Sequence, residues 1–258
     1  MNKQDTLFVA SLEKGMRVLD AFRGPRDSLG ITEIAEATQM DKSAAQRFTN
    51  TLHRLGYLER DPNTRRYRPA IKLLDFSFTY LQHDHLAEVS VARLIEAGKV
   101  FGTTVNLCVP AGGDMIYTVR IPHQKASYQA TIPGRRVPAF CTAGGIAVLA
   151  FRPADEAAAI VDGSLMIKYT EQTVIDRATT MRRITAARTA GYALAVAQLL
   201  PNEISIAAPV LDASGRGVAA VHIPVYMPQW SVEAAIEKLA PLAMETARSI
   251  SGTLYRNA

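Results

Sequence analysis

From Ser11 to Phe22 the apolar positions Leu12, Met16, Leu19 and Phe22 recur at helical spacing, with Ser11 placed to cap the segment and Gly24 and Pro25 to stop it. In "LGITEIAEAT" Thr32 stands where it would cap a short helix carrying Ile34, Ala35 and Ala37, ended before Met40 and Asp41. A third helix follows. Asp41 and Ser43 are both helix-starting residues, Ala45, Phe48, Leu52 and Leu55 fall on one face, and Gly56 ends the run. "YLERD", "PNTR" and "RYRP" then read as strand, turn and returning strand, a two-stranded wing.

Positions 70 to 82 are again helical in pattern and link this module to the rest without a Gly/Ser tether. A helix at about 85 to 101 precedes two strand-like stretches, "TTVNLCVPA" and "DMIYTVRI", which pair as a hairpin around Gly112 and Gly113. "YQATIPGRRVPAF" suggests another strand and loop, and "AGGIAVLAF" a helix led by glycine. Two more helices run from Pro153 to Asp162 and from Asp176 to Ala190, the latter capped by Gly191. "ISIAAPVLDASGRGVAAVHIPV" is two apolar strands around the turn "DASGR", and Ser231 to Leu254 is a long closing helix. The expected class is α+β: a small module at 1–69, a linker helix at 70–84, and at 85–258 a mainly antiparallel sheet flanked by helices.

Composition fits this picture. A chain of 258 residues is comfortable for two domains, and 48% apolar with 21% charged residues is globular. Two cysteines are too few for a disulfide framework and fit a reducing cytosol. The longest apolar run, Ala139 to Phe151, is too short to span a bilayer, and the N-terminus lacks the pattern of a signal peptide. A cytoplasmic protein without a membrane partner is expected.

The charge is unevenly spread. The whole chain carries +5, yet positions 42 to 72 alone hold eight Lys/Arg against two Asp/Glu. Such a local excess attracts polyanions. Three helices and a wing form the layout in which a third helix enters a DNA major groove while the wing reaches phosphate. With Ala45, Phe48, Leu52 and Leu55 turned to the core, Lys42, Ser43, Gln46, Arg47 and Asn50 face away, and Arg65 and Arg66 sit on the wing. Gln and Asn suit an adenine edge, Arg a guanine edge, and Lys or Ser a phosphate. The alternatives are a solvated helix face beside a basic hairpin, a Ser43 that only caps, and an Arg54 that touches backbone or nothing.

At this point the segments "SLEKGMRVLDAF", "LGITEIAEATQMDKSAAQRFTNTLHRLGYLERD" and "RRYRPAIKLLDF" resemble the winged helix-turn-helix of the IclR family of bacterial transcriptional regulators. "VNLCV", "GRRVPAFCTAGGIAVLAF", "AGYALA" and "ISIAAPVLDASGRGVAAV" resemble that family's effector domain, so the likeness covers nearly the whole chain in order. It implies a dimer or tetramer whose paired N-terminal modules bind double-stranded DNA at an inverted repeat. It also implies a GAF-like C-terminal domain that senses a small metabolite, with no cofactor. The linker helix, with Leu73, Leu74, Phe76, Phe78 and Leu81, is then a place for chains to meet, or packs onto its own domain.

Carried over by position, the effector site would include Ala143, Gly144, Ala195, Glu203, Ser205 and His222. Glycine and alanine at a helix N-terminus leave N–H groups for a carboxylate; Ser205 adds a hydroxyl and His222 a switchable donor. The chain departs from the family with Ile146 where lysine is usual and with "LAVAQ" where acidic residues often follow "GYA". Ser205, where many members have cysteine, resembles the branch that responds to aromatic acids such as hydroxybenzoates. The implied effector is therefore a small organic acid, aromatic among the candidates, acting at a catabolic operon.

Plainer readings stand beside these. His222 is a lone histidine in an apolar strand, as satisfied core histidines are; Arg120, Arg135 and Arg136 either neutralise an acid or are loop-surface charges. Cys108 and Cys141 read as small buried apolar residues, and His83 and His85 around Asp84 lack metal-site spacing. An enzyme using one of the cysteines would need a Cys-x-x-Cys pair or a legible triad, and neither occurs. A sequence-nonspecific basic DNA-binding protein is the other competitor.

Overall fold

The computed structural model describes residues 7–24, 26–123 and 132–256, with side chains to residue 254. The chain divides into two compact units, Met1–His83 and Asp84–Ala258. The first runs α1 (Ala10–Asp20), a 3-10 turn, α2 (Ile31–Thr38), α3 (Lys42–Arg54), β1 (Leu58–Arg60), β2 (Tyr67–Pro69) and α4 (Leu73–Gln82). Val18, Ile34, Ala45, Leu58 and Tyr67 meet in its core. β1 and β2 pair antiparallel, Leu58 opposite Pro69 and Arg60 opposite Tyr67.

Three local expectations are corrected. Ser11 lies inside α1, which begins after Val9 without a side-chain cap. Thr32 also lies inside its helix: α2 starts after Gly30, whose N–H donates to the Glu33 carboxylate at 2.7 Å. Leu55, expected on the buried face of α3, is 53% exposed, because the helix stops at Arg54 and the chain turns away through Gly56 at a φ of +82°. Thr49 takes the buried place instead. Asp41 does cap α3, accepting the Ala44 N–H at 2.8 Å.

The second unit runs α5 (His85–Phe101), β3 (Val105–Ala111), β4 (Asp114–Ile121), β5 (Arg136–Pro138), α6 (Ala143–Ala150), α7 (Ala154–Asp162) and α8 (Arg177–Ala190). It continues through β6 (Ala193–Val196), β7 (Glu203–Leu211), β8 (Gly217–Tyr226) and α9 (Val232–Arg256). One antiparallel sheet takes the order β5-β4-β3-β8-β7-β6. The edge strand β6, hidden in the short stretch after Gly191, had not been expected; residues 128–131 of "YQATIPGRRVPAF" lie outside the described residues.

The two faces of the sheet differ in kind. Leu107, Ile204, Ile206, Val210, Val221 and Ile223 pack against Leu94 of α5 and Leu239, Ala243 and Ile250 of α9. On the other face the alternate positions are small, Cys108, Ala195, Ala207 and Ala220, and α6 lies against them with every residue buried. A helix can approach a sheet that closely only where side chains are short. A Cβ on Gly144 would stand 2.6 Å from the Cys108 sulfur, and one on Gly145 2.2 Å from the Ala139 carbonyl oxygen. Among the described residues no helix is long and apolar enough to cross a membrane.

Candidate DNA interface and effector site

The Asp41 cap fixes where α3 begins, and that phase decides which side chains look outward. Ala45, Thr49 and Leu52 are buried, with Phe48 half-buried beside them, while Lys42, Ser43, Gln46, Arg47 and Asn50 share the opposite, exposed side. The helix thus presents a hydrogen-bonding face, not an apolar one. Its width and residue types suit the edges of bases and the flanking phosphates.

The eight cations of positions 42 to 72 fall into two groups. Arg66 is half-buried and held within the unit: Nη2 donates to the Ser28 carbonyl at 2.7 Å and to Glu33 Oε2 at 2.6 Å, and Nε to Ser28 Oγ at 3.0 Å. It ties the wing to α2, and the Gly30 amide together with Arg66 and Arg26 holds the Glu33 carboxyl below its ordinary range. Arg68 pairs with Glu59 at 2.8 Å, Lys72 donates to the Leu55 carbonyl at 2.9 Å, and Arg60 lies 5.6 Å from the Tyr67 ring centroid. Among the described residues the side chains of Lys42, Arg47, Arg54 and Arg65 have no hydrogen-bond or ion-pair partner. Arg65 stands at the wing tip at a φ of +58°, just past a turn closed by Asp61, whose carboxylate accepts the N–H of Thr64 at 2.7 Å and of Asn63 at 2.8 Å.

In the second unit the six carried-over positions are brought together. Ala195, Glu203, Ser205 and His222 occupy alternate positions on the α6 face of β6, β7 and β8, with Ala195 opposite Ser205. Ala143 and Gly144 open α6 above that face, where their amides precede the intrahelical ladder. His222 is fully enclosed: Asn106, its partner across β3 and β8, places Nδ2 3.2 Å from Nδ1, and the Tyr117 hydroxyl lies 3.5 Å from the same nitrogen. Burial, and then the charges of Arg120 and Arg135, lower the His222 pKa to about 3, so the imidazole is neutral at physiological pH.

Asn106 and Tyr117 escaped the reading of the sequence. A lone asparagine inside the apolar run "VNLCV" was the available signal, since a fully buried amide needs a built environment. Of the three arginines weighed as acid-binding, Arg136 is an exposed partner of Asp114 at 3.0 Å, Arg135 is exposed, and Arg120 lies half-buried over the Tyr117 ring at 4.6 Å. Burial pushes the Glu203 carboxyl up to about 7 despite Arg135 and Arg120. Both cysteines are buried, and desolvation drives each thiol up to about 12, which leaves little thiolate for chemistry. The clefts lined by Ala208, Met244 and Arg248, and by Gly113, Arg152 and Glu156, lie away from these groups.

Comparison with known proteins gives two family models in the order of the units. The IclR helix-turn-helix domain matches residues 11–62, and the bacterial transcriptional regulator IclR C-terminal domain matches residues 78–252. The p-hydroxybenzoate hydroxylase transcriptional activator of Acinetobacter baylyi is 27% identical over 248 residues, 94% of this chain and 91% of that protein. The crystal structure of the Thermotoga maritima IclR superposes with a TM-score of 0.69 at 25% identity, covering 95% of this chain and 98% of that one. An IclR homolog from Microbacterium hydrocarbonoxydans, complexed with 4-hydroxybenzoate, shares the fold with a TM-score of 0.76 at 20% identity, over 95% and 99% of the two chains.

Proposed function

The chain belongs to the IclR family of bacterial transcriptional regulators, and on that premise we propose that it binds an inverted-repeat operator through α3 and the wing, under the control of a small organic acid. The observation that carries this reading is the outward side of α3, where Gln46, Arg47 and Asn50 stand exposed beside the unpartnered Lys42. One such helix offers few contacts, so two copies on a dimer or tetramer would read half-sites about 34–36 Å apart or a multiple of that. α4 supports a second copy as its partner: none of its residues is buried, and Leu74, Phe76 and Phe78 are exposed.

The acid acts by binding one arrangement of the regulator more tightly than the other; a shift from 1:99 to 99:1 takes about 5.5 kcal/mol of differential affinity. The polar sheet face under α6 is the place for it, and the names of the Acinetobacter and Microbacterium relatives make hydroxybenzoates the first compounds to try. Neither thiol is suited to catalysis, so the protein acts by binding and not by turnover, in the cytoplasm where the chromosome lies. The test is footprinting on host genomic DNA followed by competition against random duplex at two salt concentrations. A protected palindrome that outcompetes random duplex is the expected result. Equal retention of both, with salt dependence alone, would leave a nonspecific basic protein.

A further inference from the structure

Resting on the effector reading above, we propose that Arg120 is the anion receptor of that site and Asn106 its second polar contact. The effector is then a small carboxylate that also carries a hydrogen-bond donor. The geometry begins with a bulge. Leu107 pairs with Val119 and Cys108 with Tyr117, so Thr118 is an extra residue in β4. Three positions apart, Tyr117 and Arg120 would face opposite sides of a regular strand. The bulge turns both to the α6 face, where Tyr117 sits opposite Cys108, Arg120 sits opposite Asn106, and the guanidinium lies over the phenol ring.

Two observations show that this arrangement is incomplete by itself. Among the described residues Arg120 Nε and Nη1 are buried without a hydrogen-bond partner, and so is Asn106 Oδ1, while the other end of that amide is engaged by His222. No full counter-ion is bonded to the guanidinium: Tyr117 and His222 are neutral, and Glu203, which feels the Arg120 charge, has its carboxyl pushed up by burial to about 7 and makes no hydrogen bond to Arg120. A half-buried cation with two enclosed, idle donors beside an idle acceptor costs free energy that a group of complementary charge would recover. A carboxylate answers the donors, and a hydroxyl or similar donor on the same molecule answers Asn106 Oδ1.

The experiment uses the full-length protein, calorimetry and thermal shift. The probes are 2-, 3- and 4-hydroxybenzoate, benzoate, lactate and propionate, together with the primary amide of each acid that binds. The wild type should bind at least one hydroxy acid and bind its amide and its deoxy analogue about tenfold more weakly or worse. Arg120→Met should weaken that acid roughly 30-fold or more, with Arg120→Lys between the two. The ligand-free Arg120→Met protein should unfold at no lower temperature than wild type, because the residue serves the ligand and not the fold. Asn106→Ala should reduce the preference for the hydroxy over the deoxy acid to about threefold or less. Equal binding by Arg120→Met, equal binding of the amide, destabilisation of both ligand-free Arg120 variants, or no acid bound by wild type would each overturn the assignment. An acid that binds through Arg120 yet leaves operator occupancy unchanged would instead sink the regulatory reading and leave the receptor standing. Operator release by the acid in both wild type and Arg120→Met would do the reverse.

Discussion

The basic face of the first unit and the polar sheet face of the second handle charge in opposite ways. On α3 and the wing, positive side chains reach water, and what matters is which of them are already engaged: Arg66, Arg68 and Lys72 have partners inside the unit, whereas Lys42, Arg47, Arg54 and Arg65 have none among the described residues. Under α6 the polar groups are few and enclosed, and what matters is which atoms remain unmet. An exposed charge is inexpensive to keep and is screened over about 8–10 Å by salt, so a DNA-binding surface works by number and spacing. An enclosed one is costly, so a ligand site works by a small number of matched contacts.

The sharpest way to break this contrast is at the exposed face. Replacing Gln46 and Arg47 together by alanine should lower the ratio of operator to random-duplex affinity about 100-fold or more, as two base-reading pairs of about 1–3 kcal/mol each would require. Competition binding reads it directly. If the ratio is unchanged while the salt slope falls, those side chains meet phosphates only.

The next test concerns close packing under α6. Gly144→Ala should destabilise the second unit by about 1–3 kcal/mol, because the new methyl meets the Cys108 sulfur and the strand behind it is fixed. Adding Cys108→Ala should return most of the loss, a coupling that denaturant titration of the double-mutant cycle would resolve. Additive losses would mean that α6 shifts as a body. Smaller in effect, and aimed at the division among the cations, is the pair Arg66→Ala and Arg65→Ala. The first should lower the unfolding temperature of the N-terminal unit through its three lost hydrogen bonds, and the second should leave that temperature alone while reducing the salt slope of operator binding by about 1. Identical behaviour of the two variants would erase the distinction.

The same contrast explains what the sequence made legible. The helices of both units follow from apolar periodicity, and the five outward residues of α3 lie within nine consecutive positions, so a single helical phase places them. Leu55 escaped because periodicity does not announce where a helix stops, and Arg66 could not be told from Arg65 because its partners Ser28 and Glu33 are more than thirty residues away. The proposed effector face depends on register across strands far apart in sequence: Asn106 and His222 are separated by 116 positions. The positions that the family resemblance supplied do share that face, but Asn106, Tyr117 and Arg120 join it only through the pairing of β3 with β8 and a one-residue bulge in β4. No local pattern encodes either.

The finest probe of the enclosed face is Glu203. Burial raises its carboxyl from 4.5 to about 7, with Arg135 and Arg120 opposing, so the folded chain keeps a proton that the unfolded chain gives up. Stability from this group is therefore intact below about pH 4.5 and is lost as pH rises toward 7. His222 works in the other direction: its folded value of about 3 against 6.5 means a contribution present above pH 6.5 and lost as pH falls toward 3. Glu203→Gln removes the first of these and leaves the second. The unfolding midpoint of the variant should match wild type near pH 5 and exceed it by about 2 °C or more at pH 8, as thermal melts over that range would show. A difference that is flat with pH would mean that Glu203 is solvated, and the contrast between an open charged face and a closed one would then stop at the mouth of the site.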